Sequence, residues 1–228
     1  MQSIGAKDLA RQKDLVFEQG QLIKELRLIY EHMELLDGEI SQIVAHCQEG
    51  QIVTSIPGIG VLTAATIIAT IGIIANFESA AALKSYFGWA PQITQSGTSL
   101  DRSRLTHSGV RTAKKMLYLA VWMAITLDNN EWARLYQRLV PLKCTRDEAT
   151  RRYKGKGKVI GRIAGQMISM IFALLKADYE LLSHLALGAE TRPQKMYGPA
   201  IHRQHQQGQY QALKPKGRRQ SIVQLPHH

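Results

Sequence analysis

Apolar residues recur at helical spacing along most of the chain, most regularly near its start. Leu22, Leu26, Ile29, Met33, Leu36, Ile40, Ile43 and Cys47 follow one another at alternating steps of 4 and 3, an unbroken a/d seam. Leu15 lies one heptad earlier and Glu25, Glu31, Glu34 and Glu39 fall off the seam, so residues 1–50 are expected to form a coiled-coil helix. A narrow apolar stripe on a single helix cannot bury itself. It needs either a second chain or an antiparallel fold-back through residues 5–20. With Gly20 the one obvious hinge, self-association through the Leu22 to Cys47 heptads is favoured.

From residue 51 the helical pattern returns but is interrupted by turns at Pro57-Gly58-Ile59-Gly60, at Gly72 and at Phe87-Gly88-Trp89-Ala90-Pro91. Residues 92–108, QITQSGTSLDRSRLTHS, are polar and lack a 3.6 period, which reads as a loop or a short β-hairpin. Two longer helices are expected after it. One covers about Arg111 to Asp128, with Met116, Leu117, Ala120, Val121 and Ala124 on one face. The other covers about Val159 to Leu182, through Ile160, Ile163, Ala164, Met167, Ile171, Leu174 and Leu175, and a basic connection, RRYKGKGK, precedes it. After Gly188 the chain turns to Gln, His, Pro, Gly and Lys, the composition of a disordered tail. The expected architecture is mainly α: a coiled-coil helix (1–50), a compact helical domain (51–188) and a basic tail (189–228).

Composition sharpens this picture in three ways. The 228 residues are 45% hydrophobic and 21% charged, which excludes a wholly disordered or collagen-like chain. Only Cys47 and Cys144 are present, too few for a disulfide framework or a multi-cysteine zinc site, and the simplest setting is the reducing cytoplasm. The net charge of +11 is unevenly spread: residues 1–50 carry −4, residues 51–188 carry +9 and residues 189–228 carry +6. A basic middle and tail point to a polyanionic partner. The stretch from Glu49 to Glu78 is uncharged and long enough to span a bilayer, but Pro57, Gly58, Gly60 and Gly72 cut it into short pieces and threonines recur within it. No membrane span is expected.

Candidate chemistry follows the cations. In Thr54-Ser-Ile-Pro-Gly-Ile-Gly-Val-Leu-Thr-Ala-Ala the spacing is that of a helix-hairpin-helix. Gly58 and Gly60 would let the backbone approach a phosphate and free N–H groups at the next helix start would donate to it. An ordinary tight turn between packed helices fits the same residues equally well. Gln95-Ser96-Gly97-Thr98 is a polar turn just before Arg102, Arg104, Arg111, Lys114 and Lys115. A serine there can act as nucleophile toward phosphorus, with cations offsetting charge on the phosphoryl oxygens, although a lone Ser-Gly is usually only a turn. Arg151, Arg152, Lys154, Lys156 and Lys158 open the last long helix and suit a nucleic-acid backbone. The segment is no P-loop, because the Gly-Lys-Ser/Thr ending is missing. His202 and His205, in the expected disordered tail, read as solvated, and the acids of residues 51–188 form no metal set.

Taken in order, S-I-P-G-I-G-x-x-T-A, Y-F-G-W-A-P-Q-I-T-Q-S-G, L-T-H-S-G-V-R-T-A-K-K-M-L-Y-L-A and G-K-x-x-x-R-I-A resemble the C-terminal half of the insertion-sequence 110 / 116 / 902 transposases over about residues 51–180. Residues 1–50 resemble the coiled coil that joins the two catalytic domains of that family. The resemblance implies a bridge-RNA-guided DNA recombinase in which the serine of Q-S-G, here Ser96, attacks a DNA phosphodiester. It implies DNA and a guide RNA as partners. Family members begin with a resolvase-like domain carrying an Asp-Glu-Asp-Asp set for magnesium, and residues 1–50 offer nothing to supply it. Magnesium is therefore implied only through that missing domain, and the chain alone is expected to bind nucleic acid and self-associate without completing recombination. Two other classes of function remain: a non-catalytic nucleic-acid-binding and dimerisation remnant, and a coiled-coil scaffold whose charge only keeps it soluble.

Overall fold

The computed structural model describes residues 9–89, 91–96, 100–105, 109–184 and 196–208. The chain divides into two units, Met1–Ile43 and Val44–His228.

The first unit is carried by helix α1, Leu9–His46. At 1.5 Å per residue its 38 residues extend roughly 57 Å. It runs unbroken through Gly20, so the fold-back is not adopted. The seam lies open instead: Leu22, Leu26, Ile29, Met33 and Leu36 are each more than 50% exposed. The helix stops one residue short of the expected seam end. Cys47 has extended backbone, and its Sγ accepts the Gly50 N–H as the cap of the following helix, so it leaves the heptad pattern. The division between the two units lies within the last turn of α1, at 43/44.

The second unit opens with α2 (Gln48–Thr54) and α3 (Val61–Ile71), then a 3-10 turn (Ile74–Asn76) and α4 (Ala80–Tyr86). An antiparallel hairpin follows, β1 (Pro91–Ser96) and β2 (Leu100–Leu105), and then α5 (Arg111–Thr126) and α6 (Glu131–Lys143). A two-residue ladder, β3 (Thr145–Arg146) with β4 (Tyr153–Lys154), leads into α7 (Lys156–His184), and α8 (Pro199–Gln206) lies beyond it. The chain is thus mainly helical, with small hairpins attached.

Helix α7 is the hub. Helices α2, α4, α5 and α6 and the 3-10 turn all pack on it, and from Val159 to Leu175 nearly every apolar side chain is buried. Among the described residues α7 is also the one helix long and apolar enough to cross a bilayer, but 67% of its apolar window is inside the protein. The uncharged Glu49–Glu78 stretch is cut as its glycines suggested, its longest piece being the 11 residues of α3.

Two elements differ from expectation. Helix α6 occupies a region where only a connection was expected. Asn130 caps it, its Oδ1 accepting from Trp132 N at 2.9 Å and Ala133 N at 3.0 Å. The Asn130 amide nitrogen donates backward to the carbonyls of Ala124 at 2.8 Å and Leu127 at 2.7 Å. One side chain therefore satisfies orphan groups at the end of α5 and the start of α6. The tail is likewise not disordered throughout, because residues 196–208 fold and α8 docks through aromatic contacts. His202, expected to be solvated, is 1% exposed and stands edge-on to Trp132 at 4.3 Å. Its two ring nitrogens meet Tyr197 Oη at 2.8 Å and Gln206 Nε2 at 2.7 Å. Burial of a polar ring is tolerated when both nitrogens are paired in this way. Tyr197 N donates to Ser55 Oγ at 2.9 Å, tying the same segment to the end of α2.

Candidate nucleic-acid interface and serine hairpin

Ser96 is the last residue of β1, opposite Leu100, with Thr94 opposite Arg102 and Gln92 opposite Arg104. The expected choice between a loop and a hairpin is thus resolved as a hairpin, and its register brings Ser96, Arg102 and Arg104 onto one two-stranded element. Gly97 and Thr98 of the turn lie outside the described residues.

The base of this hairpin is fixed to the helical body. Gly109 has φ +104, and a Cβ there would lie 2.5 Å from Gly88 N and 2.7 Å from Gly88 Cα. Only glycine permits this approach of the chain leaving the hairpin to the chain entering it. Val110 N donates to Tyr86 O, and α5 begins at the next residue.

The start of α5 is electropositive. Arg111, Lys114 and Lys115 lie in its first turns, no acid is in the first turn, and Val110 supplies no side-chain cap. Lys114 Nζ lies 5.8 Å from the centroid of the Trp89 ring, a cation–π contact. Cations beside the positive end of a helix dipole are unfavourable unless an anion joins them. Hairpin base and helix start together form a candidate anion-binding corner.

Gly58 and Gly60 are not part of this corner. Their turn lies against Ala120 and Ala124 of α5, and Ala120 lies nine residues after Arg111, roughly 14 Å along the helix axis. Gly58 has φ +89, and a Cβ would lie 2.4 Å from Ala120 O and 2.6 Å from Ala124 Cβ. Helix packing alone therefore requires a glycine there. Gly60 precedes α3 with open space where its Cβ would be. A cavity beside the turn is lined by Leu119, Met123 and Leu127, with no cation in its lining.

The later cations form a separate group on β4 and the first turn of α7. Arg151, Arg152, Lys156 and Lys158 are exposed. Lys154 pairs with Asp147, whose carboxyl is held below its usual value by hydrogen bonds from Lys154 and from the Thr150 backbone. One acid, Asp147, is thus brought to this run by the fold although none lies within it.

No three His, Cys, Asp or Glu side chains converge among the described residues. His202 is committed to Tyr197 and Gln206 and does not fit a metal either. The described residues do not form the acidic set that would hold magnesium.

Residues 50–137 match the family model described as Transposase IS116/IS110/IS902 family, so this segment is a domain of that family. The chain is 30% identical over 169 residues to the "Insertion element IS110 uncharacterized 43.6 kDa protein" of Streptomyces coelicolor. That alignment takes in 74% of the chain but 39% of the relative, so the chain spans about two-fifths of the length of the protein it matches. Ser96, the glycines and the α5 cations lie within the family match, whereas Arg151, Arg152, Lys154, Lys156 and Lys158 lie outside it.

Proposed function

We propose that this chain is the serine-bearing, nucleic-acid-handling part of a transposase, working in the cytoplasm on DNA with a guide RNA. The observation that carries this is the anchoring of the base of the Ser96 hairpin beside the cationic start of α5. The helix dipole and three cations there favour a phosphate beside the base of the strand pair.

In the proposed step the Ser96 oxygen forms a bond to a DNA phosphorus and one bridging P–O bond breaks. The serine proton passes to a base, and the departing deoxyribose oxygen gains a proton. Arg102 and Arg104, on the strand paired with the serine's, offset charge on the phosphoryl oxygens, Arg111, Lys114 and Lys115 hold the nucleic-acid backbone at the hairpin base, and reversal with a different strand end rejoins DNA. Arg151, Arg152, Lys156 and Lys158, with Gly60, hold backbone phosphates further along. Completion depends on a resolvase-like metal domain, supplied by other sequence, and two chains pair through the open α1 seam.

The test incubates wild-type chain and Ser96→Ala with labelled junction DNA and guide RNA, with and without a family resolvase-like domain. A denaturation-resistant protein–DNA adduct formed by wild type and absent from Ser96→Ala, with binding retained, is the expected result. Binding without an adduct under every condition would refute the nucleophile and leave a nucleic-acid-binding remnant.

A further inference from the structure

Three arginines on three helices converge on a cavity that none of the sequence-predicted site residues lines. Arg138 of α6, Arg162 of α7 and Arg203 of α8 line a space of about 510 Å³. The acid in its wall, Glu131, is already paired with Arg134 at 2.9 Å. Among the described residues Arg138, Arg162 and Arg203 form no ion pair. Gln166 also lines the cavity, one turn beyond Arg162 on α7, and its side-chain oxygen is buried with no hydrogen-bond partner among the described residues.

The site exists only because α8 is docked. Arg203 follows His202, whose ring is clamped by Trp132, Tyr197 and Gln206. The helix is thus held by one face while the next residue reaches the cavity. The three arginines are exposed around this open cleft, and like charges clustered there repel one another until an anion joins them. Forked guanidinium donors match the oxygens of a phosphate, which can accept from several of them at once.

We propose that this cavity seats a backbone phosphate of a bound nucleic-acid strand. The inference rests on the nucleic-acid reading above and adds a contact point built from α6, α7 and α8. A phosphodiester has no hydrogen to donate, so the Gln166 oxygen, an acceptor, is met by a water that also donates to the phosphate.

The test measures binding of the full chain to a 30-base-pair DNA duplex and to a 30-nucleotide RNA across a salt series. Wild type is compared with Arg138→Gln/Arg162→Gln/Arg203→Gln and with an equal-charge control on α1, Lys13→Gln/Lys24→Gln/Arg27→Gln. The cavity variant is expected to lose about tenfold more affinity than the control, and its log–log salt slope to fall by about 1, the share of one phosphate. The nucleic acid that shows the loss identifies the strand type. Equal effects of the two triple variants overturn the cavity while leaving the broader reading intact. Failure of wild type to bind either nucleic acid overturns both. As a check independent of variant folding, phenylglyoxal modification of wild type should be suppressed at Arg138, Arg162 and Arg203 by the bound strand. Unchanged modification at all three would also overturn the seat.

Discussion

Acid should release α8 through the protonation of one imidazole. His202 is almost fully buried, and its pKa is pushed down from 6.5 to about 4, chiefly by burial and also by the neighbouring His205, against an upward pull from Glu131. The ring is therefore neutral in the folded chain at pH 7. With Gln206 Nε2 donating to one nitrogen, the proton on the other is donated to Tyr197 Oη. In the unfolded chain the ring takes up a proton as pH falls through its ordinary value, so stability present above pH 6.5 is lost on acidification and the loss is complete below about pH 4. At pH 5 this difference amounts to about 2 kcal/mol, rising to about 3 kcal/mol at lower pH. Carboxylates titrate in the same range, so the informative quantity is the difference from His202→Gln, which keeps a hydrogen-bonding side chain but does not titrate. Urea unfolding and amide exchange of residues 196–208, measured at pH 7.5 and pH 5, should show a steeper acid loss for wild type. An identical pH dependence in the two proteins would show that the buried ring does not control docking.

Gly58→Ala should destabilise the chain by about 2–4 kcal/mol in urea unfolding, from positive-φ strain and collision with α5. Gly60→Ala should stay within about 0.5 kcal/mol of wild type while weakening DNA binding, since space is open there. Asn130→Ala removes a helix cap and two donated bonds and should cost about 1–2 kcal/mol by the same measurement. Leu26→Lys/Ile29→Lys, placed on the exposed α1 seam, should shift the chain to monomer in sedimentation at unchanged helix content in the second unit; an unaltered mass would refute pairing through α1.

The parts legible in the sequence are those held by regular aliphatic periods. Leu22 to Ile43 announce α1 by their heptad spacing although the seam is exposed, and Val159 to Leu175 announce α7 through apolar positions that are buried. Helix α6 was obscured by Pro141 inside it and by the arginines among its apolar residues, although Asn130 followed by Trp132, Leu135 and Leu139 carried the cap and period that mark a helix. Helix α8 gave no such signal. Its inward residue is a histidine whose burial depends on partners from Tyr197, Gln206 and Trp132, and hydropathy counts cannot register pairing at a distance. At Gly58 a phosphate loop and a tight helix contact require the same backbone freedom, so only the position of Ala120 O distinguishes the second requirement. The register of Ser96 with Leu100 was likewise beyond a pattern that allowed either loop or hairpin.

The position of the hub helix near the end of the chain sets the timing of assembly during synthesis. Helices α2, α4, α5 and α6 are made first, yet each buries apolar surface against α7, whose core extends to Leu175. At about 5–20 residues per second, their inward faces wait some seconds for the partner that covers them. The second unit is consequently completed late, by one segment. A product terminated before residue 156 would leave several amphipathic helices uncovered, whereas one terminated after residue 184 would retain the hub and lose the α8 clasp.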